Sequence, residues 1–285
     1  MGRGGRVDVV LVVGGRWHDL DFARLELLRE LARHDVVRTR VFEDYGGAPE
    51  ALARADALVT YTCDVRPGPP EQAALVDFVS RGGRWLALHG SNAAIDAPPP
   101  GGPRVFRTPR VLGPLPELLG SQFLAHPPIA PYVVEPAGDD PLVAGIEAFT
   151  TTDELYVSEL HPPLRVLLQA RYRGPCPGFE EGQVRDDDEP RPVLYRRATG
   201  AGEVCYLTLG HCRGRFDVQD LGVDDLGRVD RGSWDIPEFR TILSRAVAWA
   251  AYGDAWPGHR PSAPTLLTDH KVSGKVEVPD RAAGG

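Results

Sequence analysis

Apolar positions along this chain change rhythm repeatedly. "VDVVLVV" is a nearly unbroken, β-branched run that predicts a strand over 7–13, and Leu25, Leu28 and Leu31 then share one side of a helix predicted over 21–33. A strand over 36–42 follows, then "DALVTYT" as a strand over 56–62 and a helix over 70–80 that Gly82 and Gly83 bring to a stop. "RWLAL" reads as a fourth strand buried on both faces. Strand and helix in alternation, with strands apolar throughout, predict a parallel sheet with right-handed crossovers.

The second half of the chain has shorter elements. "YVVE" near 132, "LRVLLQARY" from 164, "PVLYRRA" from 192 and "GEVCYLTLG" from 202 read as strands, and a glycine turn makes the last two a hairpin. A final helix runs from about Pro237 through Ile242, Ala246 and Trp249 to Tyr252. The expected fold class is α/β: a mostly parallel central sheet flanked by helices, with antiparallel additions. One domain over 6–252 is expected, carrying a Pro/Gly-rich irregular insertion at 97–116 and a poorly ordered tail over 253–285. The 174–192 stretch, with its "RDDDEP" run, reads as a solvated loop.

Composition narrows the partners. A chain of 285 residues can bury a sizeable core, and its 32 basic against 40 acidic side chains give a net charge of -8 with no basic stripe, which argues against nucleic acid. The N-terminal apolar run is short and broken by Asp8, and no stretch approaches a membrane span, so a cytoplasmic protein without a membrane partner is expected. Cys63, Cys176, Cys205 and Cys212 have no metal-ligand or disulfide spacing and are expected to be reduced thiols. A small-molecule ligand is the expected partner, and homo-oligomerisation stays open.

Three strand-like runs each end on a histidine: His18, His89 and His211. In an open α/β sheet the ligand crevice lies beyond the carboxyl ends of the strands, so these imidazoles are candidates for one site. Gly14 and Gly15 let the chain turn tightly after the first strand and let a ligand approach Gly15, although their spacing is not a dinucleotide fingerprint. His89 opens "HGSN", an outline of a nucleophile elbow; without G-x-S-x-G, Ser91 is a weak nucleophile and is retained as a substrate contact. Asp153, Glu154 and Tyr156 in "TTDELYV" combine an orienting carboxyl, an acid, base or ligand, and a phenol. His126 precedes a proline, and Cys212 is more plausible as a small buried thiol than as a soft ligand. Arg104, Arg107 and Arg110 make the insertion basic, whereas His34, His161, His259 and His270 read as structural or exposed. Each of these residues also has a plainer reading as a cap, a turn or a solvated face.

Taken in order, "GGRWHD", "FVSRGGRWLALHGSNAA", "LGSQFLAHP", "DPLVAGIEAFTTTDELY" and "GEVCYLTLGHC" resemble the trehalose-utilisation (ThuA-like) family over about residues 6–252. The resemblance implies a flavodoxin-like fold similar to class I glutamine amidotransferases without their chemistry. His89 occupies the place of the nucleophilic cysteine, and no cysteine with a downstream His-x-Glu is present. It also implies a role in carbohydrate metabolism, on trehalose-like disaccharides oxidised to keto-sugars, and supports His18, His89, His126, Asp153, Glu154, Tyr156 and His211 as pocket residues. The chain departs from the family pattern in the insertion after His89.

The leading expectation is an enzyme acting on a keto-glycoside or related sugar by hydrolysis, elimination or isomerisation. His89, Glu154, His211 and Tyr156 would be catalytic, with His89 or His211 as base and Tyr156 donating to an enolate oxygen; Gly15, His18, Ser91, His126 and Asp153 would contact substrate. A variant adds a divalent metal, zinc by the ligand chemistry, held by some of His18, His89, His126 and His211 with Glu154. The alternative is a non-catalytic sugar-binding or regulatory module.

Overall fold

The computed structural model describes residues 5–99, 104–182 and 189–256. In chain order it contains β1 (Val7–Gly15), α1 (Leu20–Leu31), β2 (Val37–Phe42), α2 (Pro49–Leu52), β3 (Ala57–Cys63), α3 (Pro69–Ser80) and β4 (Arg84–Leu88). It continues with α4 (Leu115–Leu119), β5 (Ser121–Ala125), β6 (Ala130–Pro136), β7 (Phe149–Asp153), β8 (Val157–Leu160), β9 (Arg165–Ala170), β10 (Arg191–Thr199), β11 (Gly202–Leu207) and α5 (Pro237–Tyr252). Among the described residues nine strands form one sheet in the order β2-β1-β3-β4-β11-β10-β9-β6-β7. The first five are mutually parallel and the last four add on antiparallel. With β11 as fifth strand, the parallel half has the 2-1-3-4-5 order of flavodoxin-like sheets, with its switch point between β1 and β3.

Burial follows strand position. Every residue of the inner strand β3 is buried, whereas the edge strand β2 has none buried. Alternate residues of β1 feed opposite layers, as a pleated strand requires. Val9, Leu11 and Val13 pack with Ala23, Leu27 and Leu31 of α1 and with Ile242 and Leu243 of α5. Val10 and Val12 face the layer built by Leu52, Leu75, Phe78 and Leu115 from α2, α3 and α4. The expected α/β sheet flanked by helices is therefore present, with the hairpin β10–β11 turning at Gly200.

Several local expectations are corrected. Leu25 is 48% exposed, and the buried face of α1 is Ala23, Leu27 and Leu31. Among its described residues the insertion holds no helix or named strand until α4 opens at Leu115, just inside its predicted end. The 174–182 part of the presumed solvated loop buries Cys176 and packs Phe179 against other rings; residues 183–188, with the acidic run, lie outside the described residues. Trp256 is buried against the core, so the packed domain extends past Tyr252, and the rest of the predicted tail, His259 and His270 included, lies outside the described residues. Among the described residues no helix is long and apolar enough to cross a membrane. All four cysteines are buried, and Cys63, Cys205 and Cys212 are free thiols.

Candidate active site

The carboxyl ends of β1, β3, β4 and β11 share one rim of the sheet. Soon after three of those ends the chain passes through a non-glycine residue at positive φ: Trp17 (φ 65), Asp64 (φ 57) and His89 (φ 46). Such conformations cost energy and persist where surrounding structure enforces them, often at functional sites. Here the tight packing of Gly90 is one reason, since a Cβ there would stand 2.5 Å from the Thr62 carbonyl oxygen. The Tyr206 hydroxyl donates to the His89 carbonyl at 2.5 Å and fixes the turn further. At β1, the Asp19 side chain caps α1 by accepting from Phe22 N, and so fixes where the helix starts directly after His18.

Glu154 is the centre on which the imidazoles converge. Its Oε2 lies 3.3 Å from His89 Nε2 and 3.9 Å from His18 Nε2, and its Oε1 lies 3.1 Å from His211 Nδ1 and 3.7 Å from His126 Nε2. Arg213 Nη2 stands 3.6 Å from the same Oε1. His89 and His211 are wholly buried, and His18 and Glu154 nearly so. Burial pushes the Glu154 carboxyl up, but the combined pull of His126, His211 and His89 is larger and holds it well below the usual carboxylate range. Burial, reinforced by His89, drives the His18 imidazole well below its ordinary value. At His211 burial works the same way, but the Glu154 charge outweighs it and raises the imidazole.

Over this centre lies a cavity of about 290 Å³, with Glu154, His18, His126 and Arg213 as its polar wall. Trp17, Phe106, Phe123, Tyr156 and Phe179 supply aromatic faces. The cavity shares Phe106, Arg213, Val218 and Leu221 with an adjoining open groove that Arg104 and Asp220 also line. Burial keeps the Tyr156 phenol protonated and pushes up the Cys63 thiol, which also borders the cavity.

Residues 9–222 match the family model for trehalose utilisation, ThuA. The chain belongs to the ThuA family. That family description implies a sugar-related role. The ThuA fold is also seen in similar solved structures: a ThuA-like protein from Bacteroides uniformis ATCC 8492 is 15% identical with a TM-score of 0.60, covering 90% of this chain and 95% of its own. A second, from Parabacteroides merdae ATCC 43184, is 16% identical with a TM-score of 0.54, covering 87% and 91%. At these identities the likeness concerns the fold alone. Among curated proteins, none matches the sequence.

Within this ThuA chain the expected residues divide into groups. His18, His126, Glu154 and Tyr156 line the cavity, while His89 and His211 stand behind Glu154 and form no part of the cavity wall. His126 lies outside the compact group of possible metal ligands, which consists of His18, His89, Glu154 and His211. Asp153 is buried and clamps backbone: it accepts from Gly210 N at 3.0 Å, His211 N at 3.2 Å and Ser233 N at 3.0 Å.

Three substrate contacts are corrected: Asp153, whose carboxylate is committed to that backbone clamp and forms no part of the cavity wall, Ser91 and Gly15. The Ser91 hydroxyl is buried and donates to the Leu88 carbonyl at 2.7 Å, so it faces core, because the positive-φ turn at His89 sends it inward. Gly15 has φ 111, and a Cβ there would meet the Cys63 carbonyl at 1.9 Å; it allows β1 and β3 to close up and borders a polar cleft rather than the aromatic cavity. Cys212 is a buried thiol 3.2 Å from the Tyr61 hydroxyl, raised by burial to about 12. Arg110 pairs with Glu159 and Glu181 and Arg107 with Asp96, so the arginines of the insertion are mostly engaged in its own packing.

The residues that sequence reasoning missed are Trp17, Phe106, Phe123, Phe179 and Arg213. Trp17 and Arg213 flank His18 and His211 closely enough for proximity to have been the signal. Phe106 and Phe179 sit in segments whose Pro/Gly content hides them.

Proposed function

We propose that the protein is a carbohydrate-metabolism enzyme that holds a keto-glycoside or related sugar in the aromatic cavity and moves protons at its polar wall. The observation that carries this reading is the convergence of Glu154 with imidazoles from four separate chain segments beneath that cavity. Membership in a trehalose-utilisation family supports sugar as the ligand class. A carbonyl on a sugar ring acidifies the neighbouring C–H, so a base active near neutral pH can start cleavage or isomerisation without the paired carboxylates of ordinary glycosidases.

His126 suits that base. It lies on the cavity wall with its side chain 22% exposed, and its Nδ1–H donates to the Pro127 carbonyl at 2.7 Å. A carbonyl oxygen only accepts, so in neutral His126 the Nε2 atom carries the free lone pair, and it faces Glu154. The protonated Tyr156 phenol is a donor for a developing enolate oxygen, and the aromatic rings offer flat faces to the C–H surface of a pyranose.

Incubation with native and 3-keto disaccharides, followed by mass spectrometry of products, tests the proposal. Conversion of a keto-sugar is expected, with kcat reduced about 100-fold or more by His126→Gln or Glu154→Gln. A panel left untouched, with binding of the same sugars by calorimetry, would replace the enzyme with a sugar-binding module.

A further inference from the structure

The proton chemistry above leaves three inner imidazoles without a task. His18 Nδ1 lies 3.0 Å from the Arg16 carbonyl oxygen, and His89 Nδ1 lies 2.9 Å from the Thr208 carbonyl oxygen. Each of these contacts places the hydrogen on Nδ1, which leaves Nε2 of each neutral ring as a bare lone pair. Those two Nε2 atoms face each other at 2.9 Å, and Glu154 Oε2 approaches both. His211 is wholly buried, and neither of its ring nitrogens has a hydrogen-bond partner. Its Nδ1 stands 3.1 Å from Glu154 Oε1, outside hydrogen-bond geometry.

The His18 and His89 lone pairs thus face each other, beside a carboxylate oxygen, with no hydrogen between them, an arrangement that is costly unless a cation joins them. One ligand atom from each of His18, His89, Glu154 and His211 lies within 4.8 Å of all the others. Two imidazole nitrogens bound at about 2.0–2.1 Å to a single zinc ion lie roughly 3 Å apart, close to the separation of the His18 and His89 atoms. The Nδ1 contacts of these two rings to backbone carbonyls are also the usual way in which a metal-binding histidine is oriented.

We propose that His18, His89, His211 and Glu154 are the ligands of one divalent transition-metal ion, with zinc as the best match. Three imidazoles and one carboxylate suit zinc and its neighbours in the first row, while calcium and magnesium take oxygen ligands. The ligands come from the ends of β1, β4 and β11 and from the segment after β7, so the ion ties the two halves of the sheet together at their common rim. Asp153 holds the backbone of His211 in place, and Asp230 Oδ2 lies 3.9 Å from His211 Nε2. Two of the four ligands, His18 and Glu154, also line the aromatic cavity, so a sugar oxygen entering it would approach the ion from that side. The ligand set stands on geometry alone; only the ion's action on a sugar rests on the function proposed above.

The test uses untagged full-length protein stripped with chelator, dialysed and titrated with zinc chloride and, separately, cobalt(II) chloride. One equivalent per chain is expected by elemental analysis, with a visible cobalt spectrum of low-symmetry N/O coordination. His89→Ala and His211→Gln should each weaken zinc binding at least 100-fold, and His126→Ala should retain one equivalent. Circular dichroism identifies any variant that fails to fold, and Glu154→Gln, close in shape, serves as the second ligand variant. Absence of stoichiometric binding of either ion, or equal binding by folded ligand variants, overturns the proposal. Turnover of a keto-sugar by protein that takes up no stoichiometric ion overturns it and leaves the sugar reading intact; one tightly bound ion with no sugar bound or converted does the reverse.

Discussion

Asp153 and Glu154 are adjacent carboxylates with opposite tasks, and the difference lies in what their oxygens meet. Along β7 the buried positions are Phe149, Thr151 and Asp153, so the strand's period of two delivers Asp153 inward, where backbone N–H groups and the Ser233 hydroxyl, at 2.6 Å, saturate it. Glu154, one residue on, leaves the strand and meets imidazoles instead. Asp153→Asn keeps the shape but turns an acceptor into a donor facing other donors. A loss of about 2–3 kcal/mol is expected, read as a lower urea midpoint at unchanged m value; an unchanged midpoint would show that the clamp is dispensable. At this scale the sequence was informative wherever a motif placed a polar residue at a strand end, as with His18, His89, Glu154 and His211. It misled at Ser91, because a residue following a positive-φ turn points where the turn sends it, and nothing in "HGSN" encodes that direction.

At the scale of elements, α1 shows why a face can be misread. It carries leucines at 20, 25, 27, 28 and 31, so two helical faces look apolar, and packing against β1 and α5 chooses Ala23, Leu27 and Leu31. Between these sits Glu26, a charged residue on the buried side, paired with Arg29 of its own helix and with Arg240 of α5. Burial raises the Glu26 carboxyl, but the two guanidinium groups outweigh it and hold it below the ordinary value. A carboxyl depressed in the folded state stabilises the fold above its unfolded pKa and loses that contribution as pH falls through its folded pKa. Glu26→Gln should therefore lower the melting temperature at pH 7 by an amount worth up to about 1 kcal/mol, with the gap to the parent closing below about pH 4. Melting curves across that range check it, and a gap that widens on acidification would refute the assignment. Long apolar strands such as β1 and β3 were legible because inner parallel strands need apolar residues on both faces. The β5–β8 pair was not, since "SQFLA" and "VSEL" are short and gain their order from each other across 35 residues or so of intervening chain.

At the scale of the whole molecule, the sheet rim supplies the polar groups and the irregular segments supply the cavity. The insertion is fastened to the 174–182 segment by two backbone hydrogen bonds, Phe106 N to the Gly178 carbonyl at 2.8 Å and Glu180 N to the Phe106 carbonyl at 2.9 Å. Their rings continue the clip: Phe106 lies 5.7 Å from Phe179 and 5.9 Å from Trp17, and Phe179 lies 5.6 Å from Phe123. These walls were unreadable in sequence because the aromatic residues meet only after two Pro/Gly-rich segments have folded onto each other. None of the rings can accept or move a proton from a sugar, so their contribution is binding that is equal in ground and transition states. Phe179→Ala should then raise KM for a converted sugar about tenfold while kcat stays within a factor of about three, the opposite of the profile expected for Glu154→Gln. Steady-state kinetics on both variants, with melting curves to confirm the fold, separates the roles. A fall in kcat at constant KM for Phe179→Ala would mean that this wall sets the geometry of the reacting groups instead of merely holding the ligand.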